Sequence, residues 1–258
     1  MSMSNPAHLD DAFPPERRQR LLDWLRRDGK IVAADVAHRL NVSIDTIRRD
    51  LNQLALEGFI QRVHGVALPL SPGLREEEAG QEKAKSGKIQ IAEKAAQLVH
   101  AGSVVFFDCG NTVLEIARQI PPRLQFTAIT HYLPIALALA ERTDCEVIVL
   151  GGRVNRTWHY AFSPNTAQEI RRFRLDLLFV SICSIDAEAG ISCHGLEDLE
   201  LRKAMIESSS TVVGVATREK LGTAAPFVLG PVSILDYLVI EEPESFGSEF
   251  RRFGVTVL

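Results

Sequence analysis

The 258-residue chain has four cysteines (Cys109, Cys145, Cys183 and Cys193) and no C-x-x-C pair, which argues against a structural zinc site. A chain of this length does not need a disulfide frame, so the thiols point to a reducing cytosol. Apolar runs are broken by charge or glycine before the roughly 18–20 residues that a membrane span needs. The opening segment, MSMSNPAHLDDAFPPERR, is polar and acidic before it turns basic, unlike a secretion signal. No large charge excess exists either, with 29 Lys and Arg against 33 Asp and Glu and a net charge of −4. That excludes a uniformly basic nucleic-acid coat and leaves room for a small basic module on an acidic body. There is no G-x-G-x-x-G, which disfavours a dinucleotide site, and neither repeats nor low-complexity tracts occur. No cofactor or metal is expected.

Two blocks of different periodicity remain. Residues 14–68 read as helices followed by a short extended stretch. Residues 69–82, with two prolines, two glycines and a carboxylate run, read as a linker. From 83 to 258, apolar runs at 104–107, 126–129, 146–150, 177–182, 211–216 and 237–240 alternate with helical spacing at 112–120, 133–142, 164–173 and 196–208. Continuous apolar strands between helices predict an α/β domain with a mostly parallel sheet covered on both faces. Ser163 and Pro164 suit the N-cap and first position of the 164–173 helix.

In the first block, Leu21, Leu22 and Leu25 form one apolar face, with Arg17, Arg18, Arg20, Arg26 and Arg27 around the rest and Gly29 at the end. A second helix over 34–40 buries Val36, Ala37 and Leu40. After Asn41-Val42-Ser43, Ser43 caps a third helix over 44–57, where Ile47, Leu51 and Leu54 make a narrow core stripe. Its polar remainder (Asp45, Thr46, Arg48, Arg49, Asn52 and Gln53) is what a groove-reading helix presents to base edges and phosphates. FIQRVHGVAL (59–68) folds as two strands about His64-Gly65, a wing whose Arg62 and His64 face the DNA backbone or minor groove. Between 16 and 68 there are ten Lys and Arg against seven Asp and Glu, so the basic excess accompanies this helix. The excess is small, so tight binding calls for a dimer.

The stretch VSIDTIRRDLNQLALEGFIQRVHG (42–65) resembles the winged helix of DeoR-type bacterial transcription regulators, departing only where Val66 replaces a second glycine. In the second block, strand VVFF runs into DCGNT (108–112) at a helix start, an anion cradle in which Gly110 permits close approach and Asp108 accepts from hydroxyls. Other candidates sit at strand carboxyl ends: Thr130-His131-Tyr132, Gly151-Gly152-Arg153, Ser184 to Asp186, and Lys220. The resemblance continues through Lys88-Ile89, Ala92, Asp108, Gly110, Thr112, Thr130, Gly151-Gly152, Asp186, Gly190 and Lys220-Leu221-Gly222. It implies a sensor domain similar in fold to ribose-5-phosphate isomerase, a phosphorylated sugar as effector, and a repressor that is not an enzyme.

Departures from the family pattern cluster at that site: His131-Tyr132, Asn111 for a hydroxyl residue, Ser163 for glycine, Thr217 for an acid, and Asp198 with Arg202 for an acid and a lysine. They leave the effector open. The expected partners are operator duplex, a small-molecule effector and further copies of the chain, as a dimer or tetramer. Two alternatives stand beside this reading: a sugar-phosphate isomerase or deaminase fused to a DNA-binding module, and a regulator whose second domain only oligomerises.

Overall fold

The computed structural model describes residues 14–63, 65–70 and 81–258. Two compact units divide between Ser71 and Pro72, with Gly222–Ala224 grouped with the first. The expected wing residue His64, and most of the expected linker, lie outside the described residues.

In the first unit, α1 (Pro14–Asp28) is followed by β1 (Ile31–Val32), α2 (Ala33–Leu40), α3 (Ile44–Leu56), β2 (Ile60–Val63) and β3 (Val66–Pro69). The Asn41 backbone is left-handed (φ 53°) and ends α2, and Ser43 is extended (φ −67°, ψ 146°) and starts α3. The tight turn between the two helices follows from these two conformations. The Ser43 hydroxyl accepts from the Thr46 N–H at 3.1 Å. Ser43→Ala is expected to lower the stability of this unit by about 1 kcal/mol in urea unfolding, and Ser43→Asp to restore it. Ile47, Leu51 and Leu54 are buried against Leu21, Leu25, Val36 and Leu40. Each contributes at most about 1.5–3 kcal/mol of apolar burial. β3 pairs antiparallel with both β2 and β1, and the two-residue β1 carried too little sequence to be foreseen.

Arg17 does not sit on the open surface, because its guanidinium forks onto the carboxylate of Asp50, which is buried on α3. An isolated buried carboxylate would be unstable, so Asp50 draws in a partner from α1 and ties the two helices together.

The second unit runs α4 (Gln81–Ala96), β4 (Val104–Phe107), α5 (Asn111–Gln119), β5 (Phe126–Thr130), α6 (Leu133–Ala140), β6 (Cys145–Val149), β7 (Arg153–Val154), β8 (Ala161–Phe162), α7 (Thr166–Ile170) and β9 (Leu177–Ser181). It continues with β10 (Ser184–Asp186), β11 (Gly190–Cys193), α8 (Leu196–Glu207), β12 (Val212–Val215), β13 (Phe227–Gly230), β14 (Tyr237–Val239), α9 (Pro243–Phe246), α10 (Ser248–Arg251) and β15 (Thr256–Val257). Seven strands form one parallel sheet in the order β15-β14-β12-β9-β4-β5-β6. Two apolar cores cover its faces. One packs Phe106, Leu178 and Val180 with Leu201, Ala204 and Met205 of α8, and the other packs Val105, Phe107 and Phe179 with helices α4, α5 and α6. Burial on both faces explains why these strands read as unbroken apolar runs.

All six expected strands are present. β15 joins them as a seventh, and its two residues are too few for a periodic signal. A separate antiparallel sheet, β10-β11-β13, was not foreseen. The 164–173 helix is shorter than expected, since α7 begins at Thr166. The Ser163 N–H donates to Thr166 Oγ1 at 2.8 Å and the Thr166 N–H donates to the Ser163 carbonyl at 3.1 Å. This turn leads the chain out of β8, so Pro164 lies before the helix instead of opening it. No helix among the described residues is long and apolar enough to cross a membrane.

Candidate nucleic-acid interface and effector site

On α3 the residues opposite the core stripe are in the open. Ser43, Asp45, Arg48, Arg49, Asn52 and Gln53 are exposed and Thr46 is half-buried. Several are engaged with one another. Ser43 and Thr46 share the cap, Asp45 lies 3.3 Å from Arg48, and Gln53 donates to Glu57 at 2.7 Å. Arg62, half-buried on β2, donates to the Asn52 side chain and so joins the wing to α3. Arg49 has no hydrogen bond or ion pair among the described residues, which leaves its five donors for an external acceptor.

The second site lies where the order of the parallel sheet reverses. From β4 the chain passes outward through β5 to β6, then returns to β9 on the other side of β4. Open α/β sheets hold ligands at the carboxyl ends of the strands that flank such a switch point. Asp108 follows β4 there, 1% exposed. Its N–H donates to the Phe179 carbonyl at 3.0 Å, continuing the ladder with β9. Its Oδ1 accepts from the Cys109 N–H at 2.7 Å, and its Oδ2 accepts from the Ser181 N–H at 3.1 Å and from Arg202 Nε at 3.0 Å. Arg202 comes from α8 and is also buried.

Gly110 (φ 135°) separates Asp108 from α5. A Cβ there would sit 2.7 Å from Ser181 Oγ, so this position requires glycine both for its backbone and for the approach of β9. No side chain caps α5, whose first residues are exposed Asn111 and buried Thr112, so its leading N–H groups remain free for an anion.

His131, also buried, brings Nε2 to 3.9 Å from Asp108 Oδ1, while its Nδ1 has no partner among the described residues. Its ring lies against Phe106 and Tyr160, with centroids 6.0 and 5.9 Å away. Burial pushes its pKa down, more than Asp108 raises it, and the imidazole is neutral at pH 7. Burial also works against the charged Arg202, but Asp108 beside it holds the guanidinium well above the ordinary arginine range. The Asp198 carboxyl is pushed up by burial despite Arg202 nearby.

Asp108, Cys109 and His131 each offer a ligand atom within 4.8 Å of the others, a donor set of the kind a soft divalent metal uses. Arg202 already occupies the positive position, with Nε on Asp108 and Nη2 4.0 Å from Cys109 Sγ. A metal would face a fixed cation, so the residues do not fit one.

The other sequence candidates have mixed placements. Thr130 Oγ1 donates to the Phe107 carbonyl and accepts from the Tyr132 N–H, which holds the β5 end together. Tyr132 is buried in the α4–α5–α6 core and bridges to Tyr160. Gly151 and Gly152 lie against Ala161, Phe162 and Ser163, so their missing side chains let the β7–β8 hairpin fold back. Arg153 is exposed on that hairpin. Asp186 accepts from the Glu188 and Ala189 N–H groups and builds the turn between β10 and β11. Lys220 is buried, and the pKa of the nearby His194 imidazole is pushed down by burial first, with Arg202 and Lys220 adding to it. Sequence reasoning missed Tyr160, Ser181, His194 and the thiols of Cys109 and Cys183. Cys109 lies within the DCGNT cradle but was passed over as a thiol, and the others lie in no motif that marks a site. Two clefts lie apart from this cluster, one at the amino ends of β4 to β6 and an apolar one between α6 and β6.

Residues 17–72 match the DeoR-like helix-turn-helix domain, and residues 83–242 match the DeoR C terminal sensor domain. The chain is 32% identical over 251 residues to the HTH-type transcriptional regulator GlpR of Haloferax volcanii, covering 95% of this chain and 98% of that one. It is 28% identical over 229 residues to the glycerol-3-phosphate regulon repressor of Escherichia coli, covering 88% and 91%. Ribose 5-phosphate isomerase A of Methanocaldococcus jannaschii aligns with 53% of this chain and 54% of its own, at a TM-score of 0.39 and 14% identity, too slight a likeness to argue from. Two domain matches in tandem and full-length relatives agree with the geometry of both units: the chain belongs to the DeoR family of helix-turn-helix transcriptional regulators.

Proposed function

We propose that this regulator is a cytoplasmic repressor of carbohydrate genes that binds operator duplex as a symmetric homo-oligomer and changes its grip when a phosphorylated sugar occupies the switch-point site. The observation that carries the effector reading is the group at the ends of β4 and β9, with uncapped α5 N–H groups beside the buried Asp108–Arg202 pair. Helix N-termini of this kind suit a phosphate. A full-length relative named for the glycerol-3-phosphate regulon supports a small phosphorylated polyol or sugar. For DNA, the support is the exposed polar face of α3 over its buried stripe, with α3 entering the major groove and Arg62 at the backbone.

An isomerase or deaminase is less well supported. Proton transfer alpha to a carbonyl needs a free base, and Asp108 is spent on Arg202 and two backbone donors, while buried His131 lies on the far side of the same carboxylate. Turnover of pentose or hexose phosphates is therefore expected to be absent, and measurable isomerisation would reverse the order of the two readings.

The direct test is fluorescence anisotropy on duplex that the protein itself selects from a randomised pool, at fixed salt, titrated with triose, pentose and hexose phosphates. At least one is expected to shift the DNA affinity by about fivefold or more, the range of ordinary allosteric coupling. If none shifts it, and none raises the melting temperature of the free protein, the effector reading falls.

A further inference from the structure

Two arginine forks in the sensing unit, Arg142 half-buried and Arg202 buried, are satisfied very differently. Arg142 places Nε and Nη2 on the two oxygens of Asp144, both at 2.9 Å, and gives Nη1 and Nη2 to the carbonyls of Ile120 and Pro121 at 2.8 Å. Arg202 is more deeply buried, yet among the described residues its one oxygen partner is Asp108, reached through Nε alone. Its terminal nitrogens meet sulfur: Nη1 lies 3.6 Å from Cys183 Sγ and Nη2 4.0 Å from Cys109 Sγ. Thiol sulfur is a weak acceptor, and burial followed by Asp108 pushes the Cys109 thiol well up, so it faces the fork as neutral S–H. Asp198, one turn earlier on α8, forms no ion pair with Arg202. Four N–H donors are thus held in a site of low dielectric without an oxygen acceptor, where most buried guanidinium donors have one.

A planar fork of this kind matches a planar carboxylate through two parallel N–H···O bonds. The soft thiol walls do not compete for those donors, and Cys109 and Cys183 are only half-buried, so the fork lies just beneath the solvent-facing rim. We propose that the effector carries a carboxylate that docks on Nη1 and Nη2 of Arg202. Its chemical class is then an acidic sugar derivative, a phosphorylated aldonate instead of the corresponding aldose phosphate. The inference rests on the reading above that the switch-point site takes a phosphorylated sugar. In that pose the phosphate lies at the α5 N-terminus, Asp108 retains Nε, and the carboxylate takes the two outer nitrogens.

The test is isothermal titration of the full-length wild-type protein with matched pairs: 6-phosphogluconate against glucose 6-phosphate, and 4-phosphoerythronate against erythrose 4-phosphate, with free gluconate as a third arm. The acid of at least one pair is expected to bind about tenfold tighter or more than its aldose, the scale of a charge-assisted bidentate contact. In Arg202→Lys, which keeps the charge and loses the fork, the ratio of acid to aldose affinity should collapse towards one, whatever the affinity for the aldose phosphate itself becomes. Should the variant fail to fold, the wild-type ratio decides alone. Aldose phosphates that bind as tightly as their acids would overturn the carboxylate contact and leave the sugar-phosphate reading standing. Gluconate binding as tightly as 6-phosphogluconate would support the carboxylate contact and remove the phosphate. No binding by any member of either pair would overturn both.

Discussion

Arg49→Ala is expected to weaken binding to a selected operator duplex by about tenfold or more per half-site, since one good arginine contact to a base edge is worth about 1–3 kcal/mol. Arg48→Ala should have a smaller effect. The Arg48 side chain already lies 3.3 Å from Asp45, and this pair must open before DNA gains the charge. The double variant should show both losses, and in a symmetric dimer each is counted twice. If a lost contact is to phosphate, the slope of log affinity against log salt also falls by about one per site. Both side chains are exposed, so the melting temperature should scarcely move. An Arg49→Ala protein with unchanged affinity at fixed salt would remove α3 from the groove.

The largest expected effect on stability is at Asp108. Asp108→Ala leaves the Arg202 guanidinium buried without its carboxylate and strands the Cys109 and Ser181 N–H groups. Breaking a buried pair from one side costs about 3–5 kcal/mol. Urea unfolding of the sensing unit should show this loss as a lower midpoint at unchanged slope. Asp108→Asn keeps one acceptor and should lose less. Combining Asp108→Asn with Arg202→Met removes the uncompensated charge and should recover part of the loss, although effector binding should vanish in every one of these proteins. An Asp108→Ala protein as stable as wild type would mean that the pair is solvated, and the account of a buried, under-satisfied fork would fail with it.

Much of the architecture could be read along the chain. The stripe Ile47, Leu51, Leu54 and the Asn41-Val42-Ser43 break are local signals, and each maps onto a helix or turn within a residue or so of expectation. The six apolar runs became strands because burial on both faces imposes the same composition wherever the strand sits in the sheet. Failures occurred where the deciding contact was not periodic. The Ser163–Thr166 turn overrode a favourable Ser-Pro start, and Asp50 drew Arg17 in from a position that looked like ordinary surface.

The proposed effector cluster shows the same division more sharply. Asp108 and Gly110 were visible because a strand, an acid and a glycine before a helix have meaning in sequence. Asp186, with equal standing beforehand, proved to shape a turn. Gly151 and Gly152 proved to admit a hairpin.

The order of residues by itself determined a helix-turn-helix unit, an α/β unit and the group of arginines on α3. These depend on periodicity, capping and charge within a few residues of each other. Tertiary structure alone decided which of many polar side chains share a site. Asp108 and Arg202 are 94 positions apart and meet because β4 lies beside β9 where the sheet reverses and α8 packs against β9. Strand order is set by the packing of the whole sheet, and no local stretch of sequence encodes it.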